Sequence, residues 1–167
     1  DLANTIGNLL NRTSSMSRKW FNNKVPIKEK NSSETKLENS VKIAVENYIY
    51  KFESYKLDLA AKEVLNLAIN TNLYLNDNQP WMLIKEKDNL PLVKEIIYNV
   101  LESTRIIGLL LLPLLPELSS KIDEQLGSLY QKDISWKQQL KWGLLIRNSK
   151  LPKPAPIINK LEYEENT

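Results

Sequence analysis

Apolar residues recur at helical spacing along almost the whole chain, and proline, glycine or asparagine stands where the pattern breaks. In the first segment, for example, Leu2, Ile6 and Leu9 are spaced as on one side of an α-helix. No alternation of apolar and polar residues competes to predict a strand. The 167-residue chain is therefore predicted to be all-α, a helical bundle of about five helices with short connections.

Helix breakers and capping signals set the expected bounds of these helices. Asn31 and Glu34 are three residues apart, as in a capping box at the start of the second helix. Pro80 ends the third helix and begins a short turn of helix, and Gly127 closes the helix that Pro116 opens. The predicted helices cover 2–22, the stretch from the Asn31 cap to about Tyr55, 57–74, 81–87, 90–112, 116–126 and a short piece between Trp136 and Gly143.

The end of the chain differs in character from the rest. Pro152, Pro154 and Pro156 predict an extended segment there rather than a helix. We expect a helical domain at 1–150 and an extended, Pro-rich C-terminal tail at 151–167. The chain starts without Met and without the basic and apolar segments of a signal peptide, so we expect it to be a piece of a longer protein or a processed product.

The residue types that the chain lacks narrow its chemistry. It contains no His and no Cys, which removes the commonest general acid–base group, the commonest metal ligand and thiolate chemistry. Without a Gly-rich phosphate loop or a serine triad, we predict no catalytic residue and no metal site. The net charge of +3 is compatible with a polyanionic partner. The most apolar stretch, Ile106–Leu118, contains Pro113 and Pro116 and is too short for a bilayer span, which predicts a buried helix end and no membrane partner.

Two pairs of residues are candidates for binding an unstacked nucleic-acid base. Asn8 and Arg12 are four residues apart, so a helix places the amide and the guanidinium on one face. Pro80 mounts Trp81 on a rigid turn. An amide, a fixed cation and an aromatic plane suit base recognition. Each pair has an ordinary alternative, because Asn8 and Arg12 could be a solvated surface pair and Trp81 could belong to the core.

In this order along the chain, these segments resemble the anticodon-binding domain of methionyl-tRNA synthetases. Asn4–Arg12 is similar to the N-x-x-G-N-L-x-x-R helix of that family, and Asn72–Trp81 to its N-x-Y-x5-P-W segment. Weaker similarities are the Leu112–Pro116 turn, Gly127 and the tail at 153–158. The resemblance extends from residue 1 to about residue 161.

The resemblance implies a function for the candidate residues. Trp81 would stack on the first, splayed base of the CAU anticodon, with Pro80 fixing the angle of the ring. Asn8 and Arg12 would contact anticodon bases or their backbone. The parent enzyme would use ATP to attach methionine to methionine-accepting tRNAs in the cytoplasm, and its catalytic domain, joined in cis, would bind ATP and Mg. No cofactor would bind to this part of the protein.

Charge alone adds Arg18 and Lys85 as possible phosphate contacts. Ser15–Lys19 is similar to part of the KMSKS loop of class I synthetases, but it lacks the leading Lys and lies on a helix, so a solvated helix face is the better interpretation.

Two alternative functions stay open on the sequence. One is the anticodon-binding domain of another class I synthetase, such as the leucyl or cysteinyl enzyme, and the other is a helical protein-interaction module without RNA binding.

Overall fold

The structure is a computed structural model that describes residues 2–27 and 35–157. Helices dominate both ranges. Five of these helices have ten or more residues. Within the described ranges the only β-type pairing is an isolated bridge. The all-α prediction is therefore confirmed. In chain order the helices are α1 (Leu2–Phe21), α2 (Lys36–Glu53), α3 (Leu57–Asn78), α4 (Pro80–Leu83), α5 (Leu90–Leu111), α6 (Pro116–Gln125) and α7 (Trp136–Gln139), with a 3₁₀ turn at Lys87–Asn89.

Local signals explain where α2 begins and where α3 ends. Thr35 caps α2, and its side chain accepts a hydrogen bond of 3.2 Å from the backbone N–H of Glu38. The predicted cap at Asn31 and Glu34 lies outside the described residues. Helix α3 continues past its predicted end at Tyr74 to Asn78, because the helix-breaking Pro80 comes only after Gln79, which adopts a left-handed φ of 45°.

Helix α5 lies at the centre of the bundle. Every residue from Ile96 to Leu111 is buried, and α5 contacts α1, α2, α3, α4, α6 and α7. This confirms the buried helix end that the apolar run predicts. No helix in the described part of the chain combines the length and the hydropathy that a membrane span requires.

A buried ion pair on α5 organises the irregular segment that follows α7. Arg105 donates to both carboxylate oxygens of Glu102, each at 2.7 Å, and both side chains are nearly inaccessible to water. Arg105 also donates to the carbonyls of Gln139 and Lys141 at 2.7 and 2.8 Å. Glu102 accepts the backbone N–H groups of Gly143, Leu144 and Leu145. Helix α7 ends at Gln139, short of the predicted end at Gly143, because the backbone beyond it turns its carbonyl and N–H groups toward Arg105 and Glu102 on α5.

The chain then runs back to the end of α1. Val25 donates its backbone N–H to the carbonyl of Ser149, and Leu151 donates to Asn23, at 2.9 and 2.6 Å. Residues 151–157 contain no helix, and Leu151 and Ile157 are buried. The first part of the predicted tail thus packs on the bundle, while the domain boundary at residue 150 stays a prediction.

The Glu102–Arg105 pair yields a stability prediction. We expect Glu102→Gln to lower the free energy of unfolding by about 3–5 kcal/mol, because it leaves the buried Arg105 cation without its counter-charge. The measurement is urea unfolding followed by circular dichroism. The matched control is Glu53→Gln, which breaks the exposed Lys137–Glu53 pair and should cost less than about 1 kcal/mol. Equal unfolding midpoints for the two variants would contradict the central role of the buried pair.

Three tyrosines predict how stability changes at alkaline pH. Burial raises the pKa of Tyr48, Tyr98 and Tyr130 from 10.0 to about 12. In the unfolded chain these hydroxyls lose their protons near pH 10, so the unfolded state binds fewer protons than the folded state between the two pKa values. The contribution of these tyrosines to the free energy of unfolding is therefore fully present below pH 10 and is lost as the pH rises toward 12. We expect the urea midpoint to decrease through this window, and less steeply in Tyr98→Phe; a midpoint that stays constant in the wild-type chain would refute the prediction.

Candidate nucleic-acid interface

The candidate interface forms where the middle of α1 meets the end of α3. The Arg12 guanidinium donates to the side-chain oxygen of Asn72 at 3.3 Å and to that of Asn76 at 3.0 Å. Asn72 and Asn76 are four residues apart, so they lie on one face of α3, as Asn8 and Arg12 do on α1. The two hydrogen bonds fix the plane of the guanidinium and leave its other N–H donors available.

Trp81 completes this cluster. The guanidinium carbon of Arg12 lies over the Trp81 ring, 5.5 Å from its centroid, which is cation–π geometry. Trp81 is half-buried, and its inner part packs against an apolar cluster formed by Leu9, Leu75, Ile96 and Val100. The indole therefore belongs to the edge of the core and also reaches the surface, and its stacking on a base stays a prediction.

Pro80 sets the position of the indole. It is the first residue of the four-residue helix α4, and it is buried. The left-handed backbone of Gln79 turns the chain between α3 and α4, and the N–H groups of Met82 and Leu83 bond back to the Gln79 carbonyl at 2.9 and 3.2 Å. Pro80 therefore acts by fixing the backbone, and its own ring is not presented to a ligand.

A shallow surface pocket of about 280 Å³ lies next to Arg12. It is lined by polar residues from two helices: Asn4, Thr5, Asn8, Arg12 and Asn72. Asn8 is exposed at this surface. The structure thus brings Asn8, Arg12 and Trp81 together from segments that are about seventy residues apart in the sequence.

The two predicted phosphate contacts, Arg18 and Lys85, come from different elements of the fold. Arg18 is exposed and lies six residues beyond Arg12 on α1. Lys85 is exposed just after α4, with its Nζ 3.6 Å from the sulfur of Met82. Both side chains reach solvent, and their role as phosphate contacts stays a prediction.

The electrostatics of the cluster favour an anionic ligand. Within residues 2–27 and 35–157, no carboxylate lies within ion-pair distance of Arg12. Its partners are neutral amides, which orient the guanidinium without cancelling its charge. In the same ranges, no group of His, Cys, Asp and Glu residues is arranged to hold a metal ion.

Tyr74 anchors the end of α3 that carries Asn72 and Asn76. Its hydroxyl accepts a hydrogen bond of 3.2 Å from the side-chain amide of Asn99 on α5. Burial raises the pKa of Tyr74, Glu95 adds to the rise, and the bond from Asn99 opposes it. The N-x-Y segment thus has a physical function, because Tyr74 fixes the helix from which Asn72 projects.

The sequence reasoning missed Asn76 and did not assign Asn72 a place in the site. The available signal was their spacing: two amides four residues apart on α3 match the amide and the cation four residues apart on α1. Spacing alone does not show which faces of two helices meet, so this pairing required the tertiary structure.

Comparison with known proteins points to a single family. Residues 25–167 match the family model for the anticodon binding domain of methionyl tRNA ligase. The methionine–tRNA ligases of Caldanaerobacter subterraneus subsp. tengcongensis and Lactococcus lactis subsp. lactis are 32% and 34% identical to the chain, each over 99% of it. The chain spans about a quarter of the length of these relatives, 26% and 25%.

Solved structures agree with the sequence relatives. Mycobacterium tuberculosis methionyl-tRNA synthetase in complex with methionyl-adenylate aligns with 96% of this chain at a TM-score of 0.84 and 26% identity, and the match covers 31% of that protein. Its apo form aligns with 94% of this chain at a TM-score of 0.83 and 27% identity, covering 32% of that protein. In these structures the same helical fold is one part of a longer chain.

The packing of Trp81 predicts a structural contribution. We expect Trp81→Ala to lower the free energy of unfolding by about 1–3 kcal/mol, less than the loss at a fully buried tryptophan, because only the inner part of the ring packs on the core. Arg12→Ala should cost less than about 1 kcal/mol, since its partners are accessible to water. Urea unfolding measures both. A Trp81→Ala variant as stable as the wild-type chain would show that the ring contributes nothing to the core.

Proposed function

The chain belongs to the family of anticodon-binding domains of methionyl-tRNA ligase, and on this premise we propose that it binds the anticodon loop of a methionine-accepting tRNA through Asn8, Arg12 and Trp81. The single observation that supports this proposal best is the cluster itself. Arg12, oriented by two amides and unpaired with any described carboxylate, lies over a half-buried indole beside a polar pocket.

Each member of the cluster suits one property of an unstacked base. The part of the indole that reaches the surface stacks on the ring of a splayed base, and the guanidinium, 5.5 Å from the indole centroid, donates its remaining N–H groups to the edge of that base. The Asn8 amide provides a donor and an acceptor for a base edge. A wrong base would leave a desolvated amide or guanidinium without a partner, at a cost of about 1–3 kcal/mol. Recognition of the CAU anticodon is the specificity that we propose.

The activity of the whole protein is part of the proposal. Because the chain spans about a quarter of its relatives, we propose that a catalytic domain joined in cis binds ATP and Mg and attaches methionine to the tRNA in the cytoplasm. The helical domain then selects the tRNA by its anticodon. We also propose that the helical domain ends near residue 150 and is followed by the extended tail. Arg18 and Lys85 are proposed to contact phosphates near the loop.

The proposal is tested by measuring binding of the 167-residue chain to an RNA stem-loop that presents CAU. The comparison RNA has the same stem and a changed first anticodon base. We expect tighter binding of the CAU loop, and Trp81→Ala should weaken it by about tenfold or more through loss of stacking. Asn72→Ala combined with Asn76→Ala should also weaken binding, because Arg12 loses both groups that orient it.

Trp142→Ala is the matched control for the tryptophan variant. Trp142 is also half-buried, but it lies in a groove between α2 and the segment after α7. This variant should keep the affinity and the base preference of the wild-type chain when both are measured at a temperature where all variants are folded. Equal binding of the two RNAs by the wild-type chain, or equal losses in Trp81→Ala and Trp142→Ala, would overturn the proposed function.

A further inference from the structure

We propose that Lys24 and Lys150 form a second RNA-binding site, for the phosphate backbone of the base-paired stem next to the loop. This inference rests on the proposed function and extends it beyond the anticodon bases. We call this site the basic junction, and define it as Lys24, Lys150 and the neighbouring Lys153, where the chain segment after α1 meets the segment at 148–153.

The two lysines are held face to face by the backbone. Lys24 and Lys150 form an isolated antiparallel β-bridge. The hydrogen bonds lie on either side of them, from Val25 N to Ser149 O and from Leu151 N to Asn23 O, at 2.9 and 2.6 Å. The lysines are therefore a non-hydrogen-bonded pair, the arrangement in which opposite side chains come closest and point to the same face.

The bridge is rigid because its flanking residues are buried. Val25 is completely buried and Leu151 is almost so, and both belong to the main core. On the other side, a Cβ atom added to Gly127 would lie 3.4 Å from the carbonyl oxygen of Lys150. The segment is thus wedged between the end of α1 and the end of α6, and the two exposed lysine side chains project from fixed positions.

This pairing is unfavourable in the absence of an anion. Like charges directly opposite each other destabilise a β-pair. In the described ranges, no carboxylate lies within ion-pair distance of Lys24, Lys150 or Lys153. A phosphate group between the ammonium groups would turn this repulsion into attraction, whereas a neutral polar residue would serve a merely solvated surface equally well.

The ordinary explanation for cations at the end of a helix accounts for only part of this charge. Arg18 and Lys19 lie in the last turn of α1, where they interact favourably with the helix dipole. Lys24 follows the helix, and Lys150 and Lys153 come from a segment that is not helical. The basic junction therefore needs another source of stabilisation, and the cations of the last turn add to its positive potential.

The distance between the base-binding cluster and the basic junction indicates which part of the RNA reaches Lys24 and Lys150. Phe21, the end of α1, lies nine residues beyond Arg12, which is about 14 Å at the rise of an α-helix. Nucleotides along one strand of a DNA duplex repeat at roughly 3.4 Å along the axis, and those of an A-form RNA stem are closer together, so this length corresponds to at least about four nucleotides. An RNA whose anticodon base lies at Trp81 would thus bring its adjoining stem, and not the anticodon itself, to Lys24 and Lys150.

The experiment compares Lys24→Gln/Lys150→Gln with a control that removes the same charge elsewhere, Lys56→Gln/Lys62→Gln. Lys56 and Lys62 are exposed near the start of α3, at the opposite end from Asn72 and Asn76. Binding of the CAU stem-loop is measured over a series of salt concentrations. We expect the first double variant to bind about tenfold more weakly near 0.1 M salt, with a slope of log affinity against log salt smaller by about one to two, whereas the control changes little.

Two further measurements make the result specific. A single-stranded oligonucleotide with the loop sequence but without the stem should bind Lys24→Gln/Lys150→Gln as well as it binds the wild-type chain. The thermal midpoint of this variant should not fall, because a repulsive pair is removed.

The outcomes separate this inference from the proposed function. Stem-loop binding that is lost in Trp81→Ala but is equal in the two lysine variants overturns the basic junction and leaves the proposed function standing. An equal loss for the stem-loop and the single strand places the contact in the loop, and also overturns it. A wild-type chain that does not discriminate the CAU loop from the changed loop overturns both.

Discussion

The buried ion pair between Glu102 and Arg105 is the interaction on which the rest of this structure depends. Two charges inside a helical core cost a large desolvation free energy unless every polar atom finds a partner. Here the partners are backbone amides and carbonyls of residues 139–145, a segment with little regular structure of its own. The pair therefore dictates the path of that segment along α5, and beyond it the chain reaches the end of α1, where the basic junction forms.

Helix α5 also fixes the geometry of the proposed base-binding cluster. The apolar contacts of Leu9, Leu75, Ile96 and Val100 bring α1 and α3 together on its surface. The hydrogen bond from Asn99 to Tyr74 holds the end of α3, and the turn at Pro80 then places the indole over this contact. Functional side chains that project from packed helices lose little conformational freedom on binding, which favours both affinity and discrimination.

The proposed base-binding cluster and the basic junction would divide RNA recognition between two kinds of contact. Arg12, Trp81 and Asn8 would contact bases, which differ in shape and hydrogen bonding, and so would provide specificity. Lys24 and Lys150 would contact phosphates, which are the same in every RNA, and so would provide register and a salt-dependent affinity. Helix α1 connects the two, because Arg12 lies in its middle and Lys24 follows its end.

The sequence by itself determined the elements. Apolar spacing fixed the long helices, Pro80 and Pro116 fixed the starts of α4 and α6, and the spacing of Asn8 and Arg12 placed both on one face, since these signals depend on near neighbours in the chain. It misplaced the ends of α3, α4 and α7. Only the tertiary structure decided that Asn72 and Asn76 orient Arg12, that Trp81 is half-buried, that residues 139–145 follow a buried ion pair, and that Lys24 faces Lys150. Each of these features depends on contacts between residues far apart in the sequence. The periodicity of apolar residues predicts a helix, but it does not show which helix faces pack together.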